Sequence, residues 1–185
     1  MNIKPWMLPD GVEEALAPVS WEQEALRRRL LDHYRAAGYE LILPPLIEHL
    51  ESLLTGTAQD LERQTFKLTD PASGRLLGLR ADMTPQAARI AARHYAGQDI
   101  VRLCYLGTVL RAEPDSPGGA RSPRQVGCEI FGEAGMSADL EALNLMIATL
   151  QLAGVQALHL DLGHVGVYRA VVAGLGLDAA DEAAL

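Results

Sequence analysis

The segment LGLRADMTPQ, Leu77 to Gln86, runs from an apolar, strand-like stretch into Arg80, Asp82 and Thr84. Pro85 follows, and proline is tolerated in a first helical turn. A base, an acid and a hydroxyl therefore sit where a strand hands over to a helix. Farther along, QVGCEIF places Gln125, Gly127, Glu129 and Phe131 on one face of a strand, with Val126, Cys128 and Ile130 on the other. The first face carries an amide and a carboxylate with a side-chain-free gap between them. Glycine inside a strand often marks a close approach of another group to the backbone. Arg111 and Glu113 end the preceding strand. Acids, amide and hydroxyl suit an ammonium, and arginine suits a carboxylate, so the set fits a ligand that bears both. Surface salt bridges around a capped helix would use the same residues.

These side chains need elements to hold them. Residues 1–19 read as irregular. Ser20 with Gln23 forms a capping box. It opens a helix with apolar positions at Leu26, Leu30 and Tyr34, ending at Gly38. YELILPP is a short strand closed by two prolines. QTFKLTD and RLLGLR flank PASG as a hairpin. A helix runs from Thr84 to about Tyr95. DIVRLCYLGTVLRAE is a long strand, PDSPGGARSPR a loop, and QVGCEIFGEAG the returning strand. Ser137 caps a helix to about Ala153. ALHLDLG is a further strand and HVGVYRAVVAGLG a helix. Two hairpins with helices between them predict an antiparallel sheet faced by helices, an α+β domain, with the Val126–Ile130 face meeting the helices. The closing DAADEAAL reads as a helix that begins and breaks off. Residues 1–185 are thus expected to be one partial domain at the front of a longer protein.

The chain has 185 residues, 49% hydrophobic and 22% charged, with a net charge of −8. That balance is ordinary for a globular core. It argues against a chain whose main task is gripping nucleic-acid phosphates. No signal-type apolar run opens the chain, and none approaches a membrane span. Cys104 and Cys128 form no CxxC or Cys/His cluster, so they read as buried free thiols in a reducing cytosol, without zinc.

GYELILPPLIE, TFKLTDPASGRLLGLRADMTPQAAR and VLRAEPDSPGGARSPRQVGCEIFGE together resemble the first two class II motifs of histidyl-tRNA synthetases and the segment between them. The resemblance covers most of the chain from about Trp21. WMLPDGVEEAL, LESLLTGTAQDLERQTFKL, RADMTPQAARIAA and LHLDLGHVGVYRA resemble in particular the synthetase-like regulatory subunits of ATP phosphoribosyltransferase. The resemblance implies the class II aminoacyl-tRNA synthetase fold, with motif 3 falling beyond Leu185. It also implies a homodimer through residues 20–45, the helix burying its apolar stripe and the strand meeting its symmetry mate.

The same resemblance assigns a histidine site. Asp82, Thr84 and Gln125 would face the α-ammonium, Glu129 the imidazole, and Arg111 the carboxylate. Departures from the synthetase pattern lie on the nucleotide side. Asp82 replaces a glutamate in that pattern. Pro123 stands where an adenine-stacking phenylalanine is expected, Gly119 where an arginine would reach ATP phosphates, and Arg124 where a histidine precedes the glutamine. Arg111, Glu113, Arg121, Gln125 and Glu129 remain.

The expectation is a non-catalytic, cytoplasmic regulatory subunit with no catalytic residues, metal or cofactor. It would bind a short-form ATP phosphoribosyltransferase catalytic subunit, as a hetero-octamer by resemblance, and relay feedback by free histidine. No membrane or tRNA partner is expected. The other reading is a catalytic-domain fragment of a histidyl-tRNA synthetase. Weaker signals have plainer readings. His164 is a polar helix start. Gly118-Gly119 is part of a mobile loop. The arginines of LRRRLLDHYR spread around a solvated or interface helix.

Overall fold

A computed structural model describes residues 6–54 and 59–175. In chain order the elements are α1 (Val19–Ala36), β1 (Glu40–Leu41), β2 (Ile47–His49), α2 (Leu50–Leu53), α3 (Gln59–Gln64), β3 (Lys67–Thr69), β4 (Leu76–Leu79), α4 (Thr84–His94), β5 (Val101–Thr108), β6 (Arg124–Phe131), α5 (Met136–Leu152) and α6 (Val165–Leu175). The chain parts into two compact units, Met1–Gly154 and Val155–Leu185.

The first unit is α+β, as expected, but its strands form two sheets. One has the order β1-β5-β6, the other β2-β4-β3. The β5–β6 hairpin is antiparallel from Val101↔Phe131 to Thr108↔Arg124. β1 pairs parallel with β5, which corrects the wholly antiparallel expectation. YELILPP yields only two ladder residues, because each proline lacks the N–H that a ladder needs. β3 and β4 form the expected hairpin across PASG. β2 was not foreseen. It pairs with β4 from Ile47↔Leu79 to His49↔Leu77, three residues being too short a run to declare a period.

The two faces of the β1-β5-β6 sheet are covered differently. On one, Leu30 and Tyr34 of α1 and Leu145 of α5 bury Cys104, with Val126, Cys128 and Ile130 packed alongside. That is the predicted apolar face. The opposite face meets α4, where Met83, Ala87 and Ala91 pack on Leu103, Tyr105 and Val109, and Phe131 joins them. The Gln125–Phe131 face is therefore half core. The α1 positions Leu26, Leu30 and Tyr34 pack inside the chain. Burial pushes the Cys104 thiol up to about 11 and the Cys128 thiol up to about 12, which keeps both protonated and inert.

Gly38 ends the α1 turn as predicted, with φ +88°. Its N–H donates to Arg35 O at 3.1 Å and the Tyr39 N–H to Tyr34 O at 3.0 Å, a Schellman closure. The two caps differ from expectation. α1 starts at Val19 after Pro18, with no side-chain cap. Ser20 already lies within a turn, its N–H on Leu16 O at 3.0 Å. α5 starts at Met136 after Gly135, also without a side-chain cap, so Ser137 is inside the first turn. Glu133 Oε1 instead accepts the Gly135 N–H at 2.7 Å.

In the second unit, ALHLDLG forms no strand among the described residues. Leu158, Leu160 and Leu162 alternate as a strand face does, yet all are exposed. Alternation supplies a face, but a ladder needs a neighbouring backbone. α6 opens on His164, whose Nδ1 accepts the Gly166 N–H at 3.0 Å, the helix-start role expected of it. DAADEAAL lies outside the described residues. No described helix is long and apolar enough to cross a membrane.

Candidate functional site

Arg80 sets the stage without joining the chemistry. Its Nε donates to Thr108 O at 2.9 Å and a terminal nitrogen to Pro44 O at 2.6 Å. Gln86, 1% exposed, donates through Nε2 to Pro45 O at 2.8 Å and to Glu48 Oε1 at 2.9 Å. Arg89 also donates to Glu48. The Pro44 and Pro45 carbonyls thus accept from Arg80 and Gln86, which flank Asp82 in sequence. Burial lowers the proton affinity of Arg80, as expected for a desolvated cation. The base in the Arg-Ala-Asp stretch is thus a clamp, and the acid and hydroxyl beyond it are what the clamp positions.

Asp82 Oδ1 accepts two hydrogen bonds, from the Thr84 N–H at 2.9 Å and from Gln125 Nε2 at 2.6 Å. The first is an Asx turn leading into α4. Gln125 Oε1 accepts the Met83 N–H at 2.9 Å, which fixes which end of the amide faces the carboxylate. Thr84 Oγ1 lies 2.8 Å from the Tyr105 hydroxyl, which donates to Glu129 Oε1 at 2.9 Å. Asp82, Thr84, Gln125 and Glu129 are therefore parts of one connected network.

Tyr105 is the member that sequence reasoning missed. It lies opposite Gly127 in the β5–β6 register. A Cβ added at Gly127 would stand 2.4 Å from its ring and hydroxyl. The glycine gap is filled by the tyrosine instead of lying open as the floor of a pocket. The available signal was positional: Tyr105 stands two residues before Gly107 on an antiparallel partner of the glycine-bearing strand. Burial first, then Glu129, raises the Tyr105 phenol well above its ordinary range, so it stays a donor.

Arg111 belongs to a second cluster. The Val109 N–H donates to Pro123 O at 3.0 Å and the Arg111 N–H to Arg121 O at 2.8 Å, extending the hairpin register beyond Thr108. Arg111 and Arg121 thus fall on the face of Gln125 and Glu129. The Arg111 guanidinium is paired with Asp115, while its Nε is buried without a partner among the described residues. Arg121 lies over the Phe66 ring at 5.0 Å and donates to Arg111 O at 3.1 Å. Glu113 is 3.6 Å from Arg63. The structure joins four of the five expected residues by hydrogen bonds and leaves Arg111 on the same face with its own counter-ion. Among the departures, Pro123 supplies only a ladder carbonyl, Gly119 sits in a tight turn with its N–H on Ser116 O, and Arg124 opens β6.

The network offers acceptors. Asp82 Oδ2 has no partner among the described residues, and no described cluster of three or more His, Cys, Asp or Glu could hold a metal. Two carboxylates, an amide oxygen and a hydroxyl oxygen suit a donor-rich cation such as an ammonium. A separate recess of about 570 Å³ lies where α1 ends beside α5, lined by residues including His33, Tyr39, Arg102 and Glu141. Its acid and base already pair, at 2.7 and 2.8 Å.

Residues 11–185 match a family model described as histidyl-tRNA synthetase. A protein of Thioalkalivibrio sulfidiphilus named ATP phosphoribosyltransferase regulatory subunit is 56% identical over 181 residues, covering 97% of this chain and 46% of that protein. One of the same name from Alkalilimnicola ehrlichii is 53% identical over 180 residues, covering 97% and 45%. The chain spans about half the length of these curated relatives. A crystal structure described as an ATP phosphoribosyltransferase regulatory subunit/histidyl-tRNA synthetase from Bacillus halodurans matches with a TM-score of 0.72 at 30% identity, over 83% of this chain and 40% of that one.

Proposed function

The chain belongs to the histidyl-tRNA synthetase family, and from that premise we propose that it serves as a non-catalytic regulatory subunit of ATP phosphoribosyltransferase. Its partner is a short-form catalytic subunit, and free histidine is its effector in the first step of histidine biosynthesis. The names carried by relatives at 53–56% identity support the reading. The observation that carries it is an imbalance between two halves of one site. The Asp82–Gln125–Thr84–Tyr105–Glu129 network is fully assembled. The hairpin beside it presents Pro123 and Gly119 where a nucleotide would need a flat ring and a cation. Such a site senses an amino acid without activating it.

In this reading the ammonium of histidine meets Asp82, Thr84 and Gln125, the imidazole donates to Glu129, and Arg111 exchanges Asp115 for the α-carboxylate. Feedback requires that histidine bind one state of the assembly better than another. The subunit acts in the cytoplasm, as a homodimer through residues 20–45 within a hetero-octamer. Exposed Leu41 and Leu43, with β1 at the edge of its sheet, support that contact. Light scattering of the full-length protein at micromolar concentration tests the dimer, and a strict monomer refutes it.

The central test is co-purification of the full-length protein with a short-form catalytic subunit, followed by phosphoribosyl transfer assayed with and without histidine. Complex formation, activation and inhibition by histidine are expected. The full-length protein is also expected to show no histidine-dependent ATP–pyrophosphate exchange. Exchange at a synthetase-like rate overturns the reading.

A further inference from the structure

We propose that Tyr105 is a positioning residue that sets ligand selectivity: acting through Thr84 and Glu129, it leaves the Thr84 hydroxyl only lone pairs to offer and holds the Glu129 carboxylate in place, so that the site favours a molecule with N–H donors at each end. The proposal deepens the histidine-binding reading above and rests on it.

The argument is a count of protons. As a carboxylate, Glu129 only accepts. The single Tyr105 proton goes to Glu129 Oε1 at 2.9 Å. Thr84 Oγ1, 2.8 Å from the same phenol oxygen, must then donate its own proton to Tyr105. That leaves Thr84 with lone pairs alone for a ligand. The other arm adds acceptors at Asp82, beside one remaining Gln125 Nε2 proton. The Met83 N–H occupies Gln125 Oε1, which turns Nε2 onto Asp82. The oxygens that remain, on Asp82, Thr84, Gln125 and Glu129, can accept but not donate.

Tyr105 has no freedom to reverse this order. It is 2% exposed, and its ring lies so close over Gly127 that a Cβ there would be 2.4 Å from it. Its hydroxyl touches both Thr84 and Glu129. Without it, Thr84 regains a free proton and Glu129 loses the donor that orients it. Hydrogen bonds linked through the buried Tyr105 hydroxyl share one proton order, so Thr84 and Glu129 are expected to be energetically coupled.

The test combines Thr84→Val and Glu129→Gln, singly and together, with and without Tyr105→Phe, in the full-length protein. Calorimetry measures affinity for L-histidine and for imidazole-lactate, in which a hydroxyl replaces the ammonium. Thermal midpoints are measured without ligand. With Tyr105 present, the two substitutions are expected to be non-additive by about threefold or more in affinity. Tyr105→Phe is expected to weaken histidine about tenfold and make the pair additive. It also narrows the preference for histidine over imidazole-lactate, because the freed Thr84 proton can meet a hydroxyl. Thr84→Ser, which keeps the hydroxyl, binds like the parent. Additivity in the presence of Tyr105, or an unchanged preference in Tyr105→Phe, overturns the proposal. A parent that binds no histidine refutes the binding reading instead. The ligand-free midpoints then decide the relay: coupling supports it and additivity overturns it.

Discussion

The two ends of the β5–β6 hairpin share a register and a face, yet they hold their polar groups in opposite ways. Toward Glu129, side chains bond to one another across strands and helix: Asp82 to Gln125, Thr84 to Tyr105, Tyr105 to Glu129. They stand on a buried core that fixes each rotamer. Toward Arg111, the ladder continues through Val109 and Arg111, but the side chains turn to local partners, Asp115 and Phe66. The first end is organised before any ligand arrives. The second end would have to give up its Arg111–Asp115 pair to engage one. In the proposed reading, recognition of an amino acid uses the first kind of order. Nucleotide activation, by the same reading, would use the second end as well, where the chain has Pro123 and Gly119.

The sharpest way to break this contrast is to crowd the ordered end. Gly127→Ala drives a methyl into Tyr105, and overpacking of this kind costs about 1–3 kcal/mol. Chemical denaturation should show that loss, and calorimetry should show histidine binding abolished. A variant with parental stability and affinity would mean that the end is not tightly built. Next in size is Glu129→Gln. It removes a charge-assisted hydrogen bond worth roughly 1.5–3 kcal/mol, so histidine should bind about ten- to a hundredfold more weakly in the regulatory–catalytic complex.

Alkaline pH sharpens the contrast without a ligand. The Tyr105 phenol is raised in the folded chain, from an ordinary value of 10.0. Above that value the unfolded chain releases the proton while the folded chain keeps it, so stability falls as pH rises. Tyr105→Phe should flatten that decline by up to about 1.4 kcal/mol per pH unit between the two values. Tyr34 and Tyr39 are raised as well and keep part of the slope in the variant. Urea titrations from pH 9 upward measure the difference. The smallest effect belongs to the other end. Arg111→Met should weaken histidine only about fivefold, since exposed ion pairs contribute about 0–1 kcal/mol and Asp115 already competes. Histamine, which lacks the carboxylate, should bind the parent and this variant equally.

How legible each end was follows from the same physics. Periodicity exposed the faces of β6, and Val126, Cys128 and Ile130 lie against α1 and α5 as read. Gly38 announced its turn because positive φ has few tenants. The hairpin across PASG and the start of α4 at Thr84-Pro85 were equally plain. Asp82, Thr84, Gln125 and Glu129, which share one hydrogen-bond network, stood out because polar groups at strand ends and on a glycine-bearing face are conspicuous. Tyr105 was not, because an aromatic residue inside a long apolar strand reads as core, and its ring is core. Only the cross-strand pairing reveals that its hydroxyl emerges between Thr84 and Glu129. Ser20 and Ser137 show the converse: cap chemistry was present, but neighbouring backbone turns had already begun the helices. The parallel pairing of β1 depended on contacts distant in sequence, which local patterns do not carry.

The fit of Tyr105 over Gly127 also constrains how such a sequence can drift. The two positions form a ratchet. A substitution at 127 that adds a side chain meets an aromatic ring at once and is purged, whereas a smaller residue at 105 leaves the glycine harmless. Descendants can therefore lose the tyrosine first and the glycine second, but not in the reverse order. Across many lineages, side chains at 127 should occur only where 105 has already shrunk. That asymmetry would date the loss of the site from the residues left behind.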